Sequence, residues 1–278
     1  MAEQVNLNAY FERIGFAGSI APTLQTLEQL HALHPAAIPF ENLSTLIGEP
    51  VLLDQKSLEQ KMLLNGRGGF CFEHNFLLMR MLADLDYTVR PLLARTIWNT
   101  PDGAGAPPSH MLLHVDIKGQ IYIADVGFGG LSLTAPLRLR AGVEHETPHE
   151  TFRLMGGDPD WTLEVKIGEE WRGVYVFTTA PVDEVDLWDI SRDLAGNPAS
   201  PFTQALRVAL APEGKRLKLL NTRLTVQPTG GEAEKRELTS VEEIRAVLSE
   251  DFGITLPESE KLDIKLAGLL PPPAAPDA

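Results

Sequence analysis

The sequence predicts an α+β fold: an N-terminal helical bundle, a central antiparallel β-sheet or barrel, and a smaller C-terminal α/β piece. Three observations predict it. Apolar residues recur at helical spacing over roughly the first 85 positions. From Val89 onward the apolar period changes to two, with turn residues between the runs. A turn-rich stretch then separates this block from short strands and one more capped helix, so the order is helices, sheet, mixed piece rather than alternating βαβ.

Taken in order, Leu7, Tyr10, Phe11 and Ile14 share one face of a short helix, and Leu24, Leu27, Leu30 and Leu33 form a second stripe. Ser57-Leu58-Glu59-Gln60 fits a capping box that opens a third helix, which Asn65-Gly66 ends. A fourth helix begins at Cys71 and carries Leu77, Leu78, Met81, Leu82 and Leu85 at helical spacing. Strands are expected over 88–97, 110–117, 120–126, 162–167 and 173–179, the last two joined by a hairpin loop at Gly168-Glu169-Glu170. Residues 181–201 read as an irregular connector. Beyond it come strands at 216–220 and 224–227 and a helix opened by the capping box Ser240-Val241-Glu242-Glu243.

A chain of 278 residues, 44% hydrophobic, has ample core for two or three compact units. No apolar run approaches the ~20 residues needed to cross a bilayer. Met1-Ala2-Glu3-Gln4-Val5 lacks the features of a signal peptide, and a single cysteine excludes an intramolecular disulfide, so a reduced cytoplasmic setting is expected. The net charge of −14 argues against nucleic acid or an anionic membrane as partner, but leaves room for a small anionic cofactor held locally.

That single cysteine lies in Arg67-Gly68-Gly69-Phe70-Cys71-Phe72-Glu73-His74-Asn75, where a glycine loop runs into an apolar helix. The positive end of a helix favours a thiolate, so Cys71 reads as a nucleophile. A nucleophilic thiol needs a base and a group to orient it. The strands ending at Ile117 and starting at Gln120 flank Lys118-Gly119, a two-residue hairpin loop that puts Leu112 opposite Asp125 and His110 on the same face. His114 shares that face, so parity alone leaves both histidines open. Position favours His110, which enters its strand at the rim where Asp125 leaves its own. The His110 to His114 spacing would suit a zinc pair on a helix, but on a strand it separates the rings by roughly 13 Å, and no metal is expected.

These segments, together with Ile38-Pro39-Phe40-Glu41-Asn42-Leu43, Ser109-His110 and Ala124-Asp125-Val126-Gly127-Phe128-Gly129-Gly130, resemble the arylamine N-acetyltransferases of bacteria. The resemblance is good over about residues 5–205 and loose over the C-terminal third. It implies a Cys-His-Asp triad of Cys71, His110 and Asp125, and so decides between the two histidines. It also implies a helical domain, a β-barrel and an α/β domain with the core arrangement of cysteine proteases. The implied extents are 1–87 for the helical domain with the nucleophile, 88–190 for the barrel with His and Asp, 191–205 for a connector, 206–268 for an α/β lid and 269–278 for a flexible tail.

The resemblance further implies ping-pong transfer of an acetyl group from acetyl-CoA, as co-substrate, to an aromatic amine or hydrazine through an acetyl-cysteine. The Cys71 N–H and one from the sheet rim are candidate oxyanion donors. Gly127, Phe128, Gly129 and Gly130 would lie beside the cofactor, and Phe70, Trp98, Phe128 and Phe202 are candidates for an aromatic acceptor pocket. Arg67 pairs more naturally with a buried carboxylate such as Glu41 than with substrate, and Glu41 and Asn42 read as braces between helical domain and barrel. Lys215, Arg216 and Lys218 read as solvated cations or phosphate contacts. Two other readings compete: a cysteine hydrolase or transglutaminase-like amidase with the same triad, and a non-catalytic protein in which Cys71 is a small buried hydrophobe. His74, one turn beyond Cys71, is a rival base without an obvious orienting acid.

Overall fold

The computed structural model describes residues 5–100 and 107–271. Helix α1 (Leu7–Ile14) is capped by the Asn6 side chain and ends at Gly15, which takes the left-handed conformation. Helix α2 (Leu24–Ala37) follows, capped by Thr23, then a two-residue strand β1 (Phe40–Glu41) and a short helix α3 (Leu43–Leu46). Helix α4 (Gln55–Leu58) continues as a π-helical turn over Glu59–Leu64. It begins one turn earlier than the Ser57 capping box suggested, because Asp54 accepts the Ser57 N–H at 3.0 Å and Ser57 is itself inside the first turn. Helix α5 (Cys71–Asp84) presents a nearly continuous buried surface and forms the centre of an apolar cluster with α1, α2 and α4.

The barrel comprises β2 (Thr88–Thr96), β3 (His110–Ile117), β4 (Gln120–Ala124), β5 (Leu137–Arg138), β6 (Glu144–Glu146), β7 (Thr151–Gly157), β8 (Asp160–Ile167) and β9 (Glu170–Thr178). Its strands run antiparallel in the order β5-β4-β3-β2-β9-β8-β7-β6. A hydrogen bond from Gly142 N to Leu154 O (2.8 Å) brings the chain after β5 against β7 and nearly closes it. Lys118 and Gly119 both have positive φ (55° and 81°), the geometry of a tight two-residue hairpin, and Ile117 pairs with Gln120 as that loop requires. The even-numbered residues Leu92, Ala94 and Leu112 fill the barrel interior, while Leu93, Met111, Leu113 and Val115 turn outward against α5.

Residues 181–201, expected to be irregular, contain helix α6 (Glu184–Gly196). It buries only Leu187 and Ser191 fully, with Ile190 and Leu194 partly buried against the N-terminal cluster, so its stripe is too narrow to stand out in the sequence. A single turn, α7 (Pro201–Gln204), leads into β10 (Arg207–Leu210), β11 (Lys215–Leu220), β12 (Arg223–Pro228) and β13 (Glu234–Glu237). These strands and β1 make a second antiparallel sheet, ordered β1-β10-β11-β12-β13. Helix α8 (Val241–Ala246), capped by Ser240, passes into a π-helical turn at Val247–Asp251, and α9 (Glu260–Leu269) completes the third apolar cluster. Of the tail expected at 269–278, residues 272–278 lie outside the described residues. No helix among the described residues is long and apolar enough to cross a membrane.

Candidate active site

Cys71 is the first residue of α5, so its backbone N–H is not spent on the helix ladder. The chain is steered into that position by Glu73, whose carboxylate accepts the Phe70 N–H at 2.9 Å and pairs with Lys61 at 2.6 Å. Burial raises the Glu73 pKa, and Lys61 opposes that rise. The sulfur lies 3.8 Å from the carbonyl oxygen of Ser109, the residue before His110. Cys71 and His110 are each 3% exposed and Asp125 is fully buried.

The His110 Nε2–H donates to Asp125 Oδ2 at 2.7 Å, and the Cys71 side chain lies close enough to the same ring to help raise its pKa. With Nε2 committed to Asp125, Nδ1 is the nitrogen left for sulfur. Burial works to lower the His110 pKa, but Asp125 and Cys71 together outweigh it and push it up to about 10. Asp125 shows the converse: burial works to raise its pKa, while His110, Asn75 and the Gly127 N–H hold it below the ordinary carboxylate value.

Asp125 is supported from several elements at once. Its Oδ1 accepts from Asn75 Nδ2 (3.0 Å) and from the Gly127 N–H (3.0 Å). Its own N–H donates to His31 Nε2 at 3.0 Å. Asn75 also donates to Met111 O (2.7 Å) and accepts from Val126 N (3.2 Å), tying α5 to β3 and to the loop that leaves β4. The buried Tyr175 hydroxyl lies beside Asp125 without meeting ordinary hydrogen-bond geometry; burial and that negative charge hold it well above the usual phenol pKa. The Tyr175 ring lies 5.2 Å from His110, and Phe128 meets His110 edge-on at 5.0 Å.

Asn75, His31 and Tyr175 escape the sequence reading. Asn75 follows Cys71 by one helical turn within the same motif, which is the one available signal. His74, the rival base, is engaged elsewhere: its Nε2 donates to Pro39 O (3.1 Å), and its Nδ1 accepts from His34 Nε2 (2.9 Å). His34 Nδ1 in turn accepts from the Tyr10 hydroxyl at 2.9 Å. Burial lowers the His74 pKa to about 4. His114 faces Arg90 and Asp116 and is half-buried, with burial and Arg90 lowering its pKa.

Gly127 passes directly over the tip of α5: a Cβ there would stand 2.9 Å from Cys71 O and 3.0 Å from Cys71 Cα. The aromatic candidates separate into groups. Phe70, Phe40 and Phe202 cluster on the helical side, with Phe202 at 5.5 Å from Phe70 and 6.2 Å from Phe40. Phe128 belongs to the barrel-side group with His110 and Tyr175. Trp98 packs, like Phe128, against the barrel core, and Arg172 covers its ring at 4.3 Å.

Arg67 pairs with Glu41 at 2.8 Å and donates to Ser44, as the sequence suggested. Asn42 braces a different neighbour from the barrel: it donates to Phe202 O (2.6 Å) and Ala205 O (2.7 Å) and accepts from Arg207 N (2.7 Å), fixing α7. A cavity of about 800 Å³ between residues 45–54 and Trp188 of α6 does not include the cysteine, histidine or aspartate in its lining. Among the described residues, no group of three His, Cys, Asp or Glu side chains is arranged to hold a metal.

Known proteins carry the same architecture. A family model described as N-acetyltransferase matches residues 23–261. An arylamine N-acetyltransferase of Mycobacterium tuberculosis (strain H37Rv) is 40% identical over 256 residues, covering 91% of this chain and 90% of the relative. One from Escherichia coli (strain K12) is 37% identical over 255 residues, with 91% and 90% covered. The solved structure of the Mycobacterium marinum arylamine N-acetyltransferase in complex with CoA superposes with a TM-score of 0.91 at 34% identity, over 95% of this chain and all 100% of that one. On this sequence and structural likeness, the chain belongs to the arylamine N-acetyltransferases, a family of acyltransferases.

Proposed function

We propose that this chain moves an acetyl group from acetyl-CoA to an aromatic amine or hydrazine by a ping-pong mechanism through acetyl-Cys71. The observation that supports it best is the buried His110, hydrogen-bonded to Asp125 and electrostatically coupled to Cys71 at the tip of a helix. The relative complexed with CoA supports the choice of donor.

In the first half-reaction the Cys71 sulfur, its proton passed to His110, attacks the thioester carbonyl. A C–S bond to Cys71 forms, the C–S bond to CoA breaks, and the CoA thiolate leaves with the proton from His110. Asp125 keeps the ring oriented and stabilises its positive charge. In the second half-reaction the amine nitrogen attacks acetyl-Cys71, His110 takes the amine proton, and the thiolate is regenerated. The Cys71 N–H is the proposed oxyanion donor at the helix tip. Gly127, Phe128, Gly129 and Gly130 are proposed to line the donor cleft. Phe70, Phe128 and Phe202 are proposed to frame the acceptor, while we assign Trp98 to the barrel wall.

Intact-mass measurement after mixing with acetyl-CoA and no amine tests this. One acetyl group should appear on the protein, be absent in Cys71→Ala, and disappear on adding an aromatic amine or hydrazine. The His110→Gln variant should acetylate about a hundredfold or more slowly. No adduct would overturn the reading, and an adduct lost at once to water would favour the hydrolase.

A further inference from the structure

Strand β11 offers two cations to the barrel. Leu217 and Leu219 enter the C-terminal core, so Arg216 and Lys218 point the other way. Arg216 is 2% exposed and fully committed: it pairs with both Glu150 carboxylate oxygens (2.7 and 2.5 Å) and donates to Ser132 O (2.8 Å). It is neither solvated nor free for a phosphate; it docks the second sheet on the barrel. Lys218 differs. It is half-buried, and among the described residues no carboxylate lies within ion-pairing distance of its ammonium.

The Lys218 stem runs across the glycine loop after Asp125. A Cβ at Gly130 would stand 3.2 Å from its Cδ and 3.3 Å from its Cε, so the absence of a side chain at 130 gives the lysine its path. The other end of this loop, Gly127, touches the Cys71 backbone. Residues 127 and 130 are three peptide units apart, at most about 11 Å. A pantetheine arm separates its thioester from its diphosphate by a span comparable with four to five extended residues, about 15 Å. A donor with its thioester at Cys71 and its arm along the loop therefore brings its diphosphate to the Lys218 end.

Gly129 turns the loop with φ at +76°, the left-handed conformation that glycine adopts without strain. Burial and the neighbouring Arg216 lower the Lys218 pKa, consistent with a cation short of a counter-charge. We propose that Lys218 anchors the diphosphate of the acyl-CoA donor over Gly130, and so makes the enzyme discriminate CoA thioesters from phosphate-free ones. This rests on acetyl-CoA being the donor.

The test is the acceptor-free rate of Cys71 acetylation by acetyl-CoA and by S-acetylpantetheine, in the wild-type chain, Lys218→Met and Lys218→Arg. Lys218→Met should lower the second-order rate constant with acetyl-CoA about tenfold, leave that with S-acetylpantetheine unchanged, and flatten the salt dependence of the former. Lys218→Arg should retain most of the acetyl-CoA rate. Equal losses with both donors would assign Lys218 a purely structural role, and no loss with either would remove it from the site; each overturns the inference alone. Failure of wild-type chain to accept acetyl from acetyl-CoA would overturn the donor assignment and this inference with it.

Discussion

The chain of buried rings behind the site has a measurable consequence at mild acid pH. Pro39 O can only accept, so His74 carries its proton on Nε2, His34 gives its Nε2 proton to His74, and Tyr10 donates to His34. Every ring is therefore neutral, and no nitrogen is spare for an extra proton. Burial lowers the pKa of His74 and of His31 to about 4, from 6.5 in the unfolded chain, and moves His34 in the same direction. A lowered histidine contributes stability that is present above its unfolded pKa and is lost as pH falls through the folded one. At pH 5.5 the unfolded chain binds about 0.9 more proton at each such site, a slope of about 1.2 kcal/mol per pH unit per histidine. Between pH 7 and pH 5 each should cost about 1.8 kcal/mol. His110 has the opposite sign: its contribution grows by about 0.8 kcal/mol over the same fall in pH, which offsets part of the loss but does not enter the difference between the parent and a His74 variant. Urea denaturation from pH 7 to pH 5 measures the slope directly. The decisive comparison is His74→Gln, which removes one titrating ring and should flatten the curve by about 1.2 kcal/mol per pH unit at pH 5.5. Parallel curves for variant and parent would refute the assignment of His74 as a neutral, buried ring.

Three further outcomes follow from the site. Asp125→Asn removes the charge that overcomes burial at His110, so its imidazole should be neutral at pH 7. Iodoacetamide labelling of Cys71 should then slow at least about tenfold, and an unchanged rate would dismiss the coupling. Asn75→Ala strips one donor from Asp125 and leaves Met111 O and Val126 N without their partner, which should cost about 2–4 kcal/mol in urea together with a loss of acetylation rate. Gly127→Ala forces a Cβ against the Cys71 backbone and should destabilise by about 1–3 kcal/mol. The control is Gly157→Ala, where nothing lies within 4 Å; equal melting shifts would mean that the loop relaxes freely.

Local rules account for what the sequence revealed. The β3–β4 register was legible because a period of two and the Lys118-Gly119 turn leave a single pairing that buries one face. The elements that escaped reading lack such a pattern. Strand β6 is Glu144-His145-Glu146, and β13 is four exposed charged residues that take their conformation from their neighbours. Arg216 looked like a solvated cation because its carboxylate partner, Glu150, is 66 residues away in sequence. Asn75 sat inside a quoted motif, yet its role depends on an aspartate 50 residues on. Tyr175 lies in a stretch already read as strand, but only the closing of the barrel sets it beside Asp125. Local conformation could be read from short windows; the supports of the site join windows that the sequence keeps apart.

Those supports explain why three side chains from distant segments can hold one geometry. A fully buried carboxylate without compensation costs several kcal/mol, so the fold cannot close around Asp125 unless its donors arrive together. They come from α5 through Asn75, from β3 through His110 and from the loop through Gly127, while His31 of α2 accepts the Asp125 N–H. Each donor is fixed to its own element, and satisfying the aspartate sets the position of the helix tip relative to the barrel rim. The same hydrogen bonds that offset the burial of charge thereby aim the imidazole at Cys71. A slip of one residue between β3 and β4 would send His110 outward and strand the carboxylate, so misregistered chains are penalised twice. Stability and chemistry are consequently coupled at this residue: loosening any one donor should reduce both, and the two losses should rank the donor variants in the same order.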